Sequence, residues 1–285
     1  MLLRDIYIRD PYILPVKDTY YLYGKSCRGD LEFVAYSSKD LENWSEAKTV
    51  FSRPEGFWAT KDYWAPEVHA YRGKFYMFAS FKAEDRCRAT QILVADSPEG
   101  PFAPLTSEPI TPPDWECLDG TLYVDPKGIP YVVFCHEWLQ VGDGTMCYAQ
   151  LSEDLTRTVT EPVEMFAAHD FPFVKSVYRD KPSYVTDGPC LYRCADGKLL
   201  MTWSSFAEHD QKGYFSSLLE SESGELRGPW KQQKMLFDQD GGHGMLFHTF
   251  DGQLMMTLHC PNSFDHRERA LLLRLEEKNG TLSIL

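Results

Sequence analysis

The sequence predicts an all-β protein, a five-bladed β-propeller, and three observations carry that reading. One hairpin-like unit recurs five times along the chain, aromatic residues make up 14% of it, and no stretch of three turns shows helical periodicity. Repeats of this kind decide architecture before any single element does, because one unit cannot bury its apolar surface alone. Aromatic and β-branched residues favour pleated, half-buried surfaces.

The unit is a short turn, an apolar strand, a tight polar turn and a second apolar strand. The first copy reads DPYILPVKDTYYLYGK from Asp10, and the second PEVHAYRGKFYMFASF from Pro66. The third reads DGTLYVDPKGIPYVVFC from Asp119, the fourth DGPCLYRCADGKLLMTWSSF from Asp187, and the fifth HGMLFHTFDGQLMMTLHC from His243. Their inner turns are Lys17-Asp18, Arg72-Gly73, Lys127-Gly128, Asp196-Gly197 and Asp251-Gly252. X-Gly between apolar runs is a strong hairpin signal. The copies start 56, 53, 68 and 56 residues apart, close to the period of roughly 50 expected for a four-stranded blade. Third strands are legible at Phe33–Ser37, Ile92–Ala95, Met146–Gln150 and Leu218-Leu219, each running into a polar segment. The whole chain, 1–285, reads as a single propeller. A β-sandwich with look-alike hairpins is the competing architecture, and five copies of one turn at one offset argue against it.

Composition narrows the partners. A net charge of −13 repels polyanions at long range, which disfavours nucleic acid and anionic membrane surfaces. No run of about 18 apolar residues is present to span a bilayer. Charges interrupt the first residues where a signal peptide needs its apolar stretch, and eight scattered cysteines lack a Cys-x-x-Cys pair. The expectation is a reduced, cytoplasmic protein. Nucleotide-loop, dinucleotide, zincin and nucleophile-elbow motifs are all missing. Asp238-Gln-Asp240-Gly241 begins like a calcium loop but lacks the downstream Glu, and reads as a turn.

The chemistry sits at the repeat position. In a propeller the residues just before the innermost strands gather at one mouth of the channel. The repeat places Asp10, Pro66 or Glu67, Asp119, Asp187 and His243 there. A single Asp before a strand is usually a turn former. Several carboxylates and a histidine brought together repel and separate in pKa, so that acid and base roles become distinct. Paired carboxylates without a metal-ligand cluster suit glycoside hydrolysis.

At this point the chain resembles glycoside hydrolase family 43 over essentially its whole length. The matching motifs are Arg9-Asp10-Pro11-Tyr12, Trp64-Ala65-Pro66-Glu67-Val68, Leu118-Asp119-Gly120, Thr186-Asp187-Gly188-Pro189 and Gly242-His243-Gly244-Met245. The resemblance implies an inverting exo-glycosidase acting on plant-polysaccharide fragments, an α-L-arabinofuranosidase or β-xylosidase. It implies Asp10 as general base and Asp119 as the residue that tunes and orients the acid. It also implies that the residue before Gly-Pro in the fourth blade is the general acid, usually Glu in the family and here Asp187. Aspartate is one C–C bond shorter, about 1.5 Å, so Glu137 and Glu67 stand as alternative acids. His243 matches a family histidine near a water-ligated metal ion, usually calcium; the other reading is a histidine hydrogen-bonded in a polar channel. Trp64, Trp138 and Phe206 are candidate sugar-stacking residues, Glu67 and Glu137 further substrate contacts, and Arg267 or Arg269 a hydroxyl-binding residue, each weighed against a plain core or surface role. Two other functions remain at this stage: a sugar-binding propeller without catalysis, and a retaining fructosidase-like enzyme.

Overall fold

The computed structural model describes residues 1–25, 30–263 and 265–285. Five four-stranded antiparallel sheets follow one another along the chain. Blade one is β1 (Arg9–Val16), β2 (Thr19–Lys25), β3 (Glu32–Ser38) and β4 (Lys48–Ser52). Blade two is β5 (Lys61–Tyr71), β6 (Lys74–Ala83), β7 (Arg86–Ala95) and β8 (Ala103–Pro104). Blade three is β9 (Cys117–Val124), β10 (Pro130–His136), β11 (Thr145–Gln150) and β12 (Val163–Ala167), with a single helical turn, α1 (Trp138–Val141), after its second strand. Blade four is β13 (Asp187–Arg193), β14 (Leu199–Phe206), β15 (Tyr214–Ser221) and β16 (Trp230–Phe237). Blade five is β17 (Gly242–His248), β18 (Leu254–Cys260), β19 (Arg269–Lys278) and β20 (Thr281–Ile284). The first strands of successive blades contact one another around the ring. The propeller expected from the five repeats is the observed fold.

The apolar runs follow from this stacking. A blade is covered on both faces, so alternate residues of one strand enter opposite interfaces and both must be apolar. On β6, Met77, Ala79 and Phe81 pack against blade one, while Tyr76 and Phe78 pack against blade three. Separate buried clusters fill all five blade–blade interfaces. Each blade is built from one continuous stretch of chain, so side chains and the N-terminal segment close the ring. Ile6 and Ile8 join the cluster between blades five and one, Met1 O accepts from Trp44 N–H at 2.8 Å, and Ile8 N–H donates to Glu268 O at 3.4 Å.

Of the eight cysteines, Cys27 lies outside the described residues and the other seven are free thiols. Among the described residues no helix is long and apolar enough to cross a membrane.

One irregularity repeats in all five inner strands and builds the site. The pairing register breaks between Arg9 and Tyr12, Trp64 and Glu67, Leu118 and Thr121, Asp187 and Cys190, and Gly242 and Met245. Two residues there oppose one on the neighbouring strand, a β-bulge. The first bulge residue is left-handed every time: Asp10 (φ 51°), Ala65 (44°), Asp119 (53°), Gly188 (53°) and His243 (58°). Asp and His are among the few non-glycine types that tolerate this region. Proline follows in three blades at Pro11, Pro66 and Pro189; an innermost strand is an edge strand, so a missing N–H leaves no ladder bond unmade.

Candidate active site

The bulges sort the mouth of the channel into layers. The bulge residues Asp10, Asp119 and His243 form a floor, with Ala65 and Gly188 completing the five positions. The preceding residues are Arg9, Trp64, Leu118, Asp187 and Gly242, and the first four of these line a cavity of about 320 Å³ together with the floor. Asp187 therefore does not occupy the position equivalent to Asp10, as the repeat alignment had placed it. Gly188 does, and Asp187 stands one residue nearer the mouth. A Cβ at Gly188 would come within 2.9 Å of the His243 ring, so blade four needs a glycine in the floor and carries its carboxylate in the wall.

The floor is a tight electrostatic unit. His243 Nδ1 lies 3.3 Å from Asp10 Oδ1 and 3.7 Å from Asp119 Oδ2. Asp10 N–H donates to His259 Nδ1 at 3.3 Å, and His259 Nε2 faces Asn262 Oδ1 at 3.3 Å. Arg9 Nε sits 3.9 Å from Asp10 Oδ1. Burial alone would raise the Asp10 pKa, but the charges of His243 and Arg9 and the His259 ring, whose Nδ1 lies 3.3 Å from Asp10 Oδ1, outweigh it and hold the carboxyl well below its ordinary range. Burial pushes His259 the other way, toward its neutral form.

Asp119 and Asp187 shift upward. Burial, then the charge of Asp10, raises Asp119 well above the ordinary range, although its Oδ2 accepts from Gly188 N–H at 3.0 Å. Burial and the nearby Asp119 push Asp187 up to about 8, against the opposing effect of His243 and of the Tyr214 hydroxyl, which donates to Asp187 Oδ2 at 3.0 Å. One pocket thus holds an ionised carboxylate and a protonated carboxylic acid at neutral pH, the division of labour that acid–base chemistry needs.

The remaining sequence candidates divide. Trp64, Trp138, Phe206 and Glu137 line the cavity. The Arg88 guanidinium lies 3.7 Å from the Trp64 ring centroid and holds that ring from behind. Arg88 also donates to Glu137 Oε2 at 3.3 Å and to Asp62 Oδ2 at 3.2 Å. Burial raises the Glu137 pKa against Arg88, yet its carboxylate is committed to that ion pair and is less available as an acid than Asp187. Glu67 is outside the cavity. It lies immediately past the blade-two bulge pair, 2% exposed, where its Oε2 accepts from Thr121 Oγ1 at 2.5 Å and faces His69 Nε2 at 3.3 Å. The reading of Glu67 as a substrate contact is corrected: the bulge turns Ala65 to the floor and sends Glu67 down the channel. Arg269 is corrected too, because its guanidinium donates to the carbonyls of Arg4, His266 and Glu268 and ties down the N-terminal segment. Arg267 pairs with Asp265 on the surface.

Among the cavity residues that the sequence did not single out are Arg9, Leu118, Tyr214 and Glu268. For Arg9 and Leu118 a signal was present, since they sit in the same motif column as Trp64 and Asp187 once the motifs are aligned on the residue before Pro or Gly. Tyr214 and Glu268 reach the pocket from third-strand regions with no motif around them. One wall comes from the connection between blades three and four, the longest interval between repeats. There Val177 and Val185 pack with Phe206, Tyr214 and Trp138.

His243 is the residue that a metal ion would use. Its Nδ1 faces the two aspartates, and its Nε2 is buried without a hydrogen-bond partner among the described residues; with the ring neutral and its proton on Nδ1, the Nε2 lone pair would receive a ligand. Among the described residues no group of three or more His, Cys, Asp or Glu side chains gathers to hold a metal. A hard cation such as calcium takes six to eight oxygens; here it would take one protein nitrogen and fill its remaining positions with water. The donor set fits only such a water-ligated ion.

Known proteins share this fold and much of this chain's length. Residues 5–281 match glycosyl hydrolases family 43. A solved structure described as an endo-arabinase from Bacteroides thetaiotaomicron VPI-5482 superposes with a TM-score of 0.92 at 40% identity, over 98% of each chain. The extracellular exo-α-(1→5)-L-arabinofuranosidase ArbA of Cellvibrio japonicus is 23% identical over 92% of this chain and 81% of its own. A family-43 β-xylosidase/α-arabinofuranosidase from a compost microbial metagenome, solved with xylotriose in a calcium-free form, shares the fold at a TM-score of 0.77 and 16% identity, over 100% and 96% of the two chains. The chain belongs to glycosyl hydrolases family 43 and is a glycoside hydrolase.

Proposed function

We propose that this enzyme is an inverting exo-glycosidase that removes a terminal pentose, α-L-arabinofuranosyl or β-xylosyl, from fragments of arabinan or xylan. The observation that carries the reading is a cavity of about 320 Å³, near the small end of the ~300–1,000 Å³ usual for ligand sites. The Val177–Val185 connection walls it on one side. Such a space suits a chain end better than the middle of a polymer.

Within it, Asp10 takes a proton from water as that water attacks the anomeric carbon, and Asp187 gives its proton to the departing oxygen. Asp119 helps hold the Asp187 proton in place. Asp10 and Asp187 belong to blades one and four, with His243 of blade five between them. Inversion needs about 6.5–9.5 Å between the two carboxyls to admit a water, against the roughly 5–5.5 Å of a covalent mechanism. Trp64 and Trp138 offer ring faces to the sugar. A second reading, cleavage within the chain, is favoured by the structure described as an endo-arabinase at 40% identity.

Digestion of linear arabinan, with arabinofuranoside and xyloside nitrophenyl substrates alongside, tests the proposal. Free pentose as the sole early product, with the inverted anomer first by proton NMR, is expected. A ladder of oligosaccharides favours the endo reading, and a retained anomer moves the mechanism to a covalent one.

Calcium belongs to the proposal as a water-ligated ion on His243 Nε2. When bound it would supply positive charge that keeps Asp10 ionised. Because such an ion binds the folded state alone, excess chelator is expected to lower the melting temperature. An unchanged melting curve and unchanged activity would leave His243 as a hydrogen-bonding residue of the floor.

A further inference from the structure

We infer that Arg9 contacts the sugar hydroxyls in this pocket and sets specificity for the terminal residue, and that Glu268 is a positioning residue that holds the Arg9 guanidinium in place. The inference rests on the glycosidase reading above and names two residues of the same site. Arg9 occupies the blade-one position equivalent to Trp64, Leu118 and Asp187, all of which line the cavity, as does Arg9 itself. Its side chain is 23% exposed, whereas that of Glu268 is 1% exposed.

The guanidinium is anchored from behind. Arg9 Nη1 lies 3.3 Å from Glu268 Oε1 and donates to Ser263 O at 3.3 Å. Glu268 is itself fixed by its backbone, since its carbonyl accepts from Ile8 N–H and from the Arg269 guanidinium. Its Oε2 is buried without a hydrogen-bond partner among the described residues. A buried carboxylate with one idle oxygen is unfavourable unless a cation compensates it. Arg9 is that cation, so the pair is locked.

A locked planar guanidinium presents donors at fixed angles, which suits recognition of the oxygens on a rigid ring. A site built to hydrogen-bond a substrate hydroxyl discriminates strongly against the analogue that lacks it. The same guanidinium also sits beside Asp10. A role confined to Asp10, or to clasping blade one against blade five, must therefore be separable from sugar recognition.

Arg9→Lys and Glu268→Gln are compared with the parent enzyme in three measurements: kcat and KM on nitrophenyl pentosides, inhibition by L-arabinose, D-xylose and their monodeoxy analogues, and the melting temperature. Expected is a KM and an inhibition constant raised about tenfold or more in both variants, with kcat changed only a few-fold. The parent's preference for the pentose over one monodeoxy analogue should disappear in both. If KM and that preference stay at parent values while the melting temperature falls, the pair is only a clasp between blades and the inference is overturned. If kcat falls alone and the acid limb of the pH profile moves, Arg9 acts through Asp10 and the inference is again overturned. Should Arg9→Lys fail to fold, Glu268→Gln and the analogue series on the parent decide, since equal inhibition by every analogue excludes hydroxyl recognition. A parent that cleaves no pentoside and binds no pentose overturns the glycosidase reading itself, and this inference with it.

Discussion

Asp10→Asn is expected to give a folded protein whose glycoside hydrolysis falls by roughly 10,000-fold, the upper range for loss of a general base. The floor holds this carboxyl ionised through His243, His259 and Arg9, and neither neighbouring carboxyl can replace it, because both are pushed toward the protonated form. The backbone should survive, since Asn accepts the left-handed conformation of position 10 nearly as well as Asp does. Stability should fall by about 1–2 kcal/mol at neutral pH, because a carboxyl with a lowered folded pKa stabilises the native state above its unfolded value. That contribution is lost as pH falls through the folded pKa, so the melting curves of parent and variant should converge in acid. Near-parental turnover on any cleaved substrate would remove Asp10 from the mechanism.

Asp187→Asn should act selectively. A nitrophenolate leaves readily without a proton, so its release falls modestly. A sugar alkoxide needs the proton, so disaccharide cleavage falls by roughly 100- to 10,000-fold. The parent's rate should drop as pH rises through about 8, where Asp187 loses its proton, and this alkaline limb should vanish in the variant. Tyr214→Phe removes a hydroxyl that favours the ionised carboxylate, so the limb should move to higher pH. The stability change has the opposite sign to that of Asp10→Asn. A carboxyl raised from 3.8 to about 8 must hold a proton in the folded state that the unfolded chain releases, so at pH 7 the amide variant gains roughly 2 kcal/mol, Asp187 being only half-buried at the cavity wall. The parent's stability should fall between about pH 4 and pH 8 from this group, and the variant's should not. If Glu137→Gln shows the leaving-group selectivity instead, the acid lies in blade three, and the Arg88–Glu137 pair must open to release it.

These opposite signs trace to one-residue differences in the inner strands. The motifs Arg9-Asp10-Pro11 and Asp187-Gly188-Pro189 are legible in the sequence, and aligning their prolines places Asp187 above Gly188. Aligning the aspartates instead gives the wrong layer. A bulge has no propensity signature of its own. Its presence shows only as a register break against the second strand and as a left-handed φ, both properties of the paired structure. Glu67 illustrates the consequence: one position from the bulge pair, it leaves the pocket and becomes a channel residue bonded to Thr121 and His69.

The sequence by itself determined the ring of five blades, the gathering of Asp10, Asp119, Asp187 and His243, and the family, because periodic apolar runs and local turn chemistry are properties of short stretches of chain. The tertiary structure decided which carboxyl is ionised and which is protonated, that Arg9, Tyr214 and Glu268 share the pocket, and that Arg269 does not. Those outcomes depend on burial and on charge separations of 3–4 Å between residues up to 259 positions apart, which only the closed ring brings together.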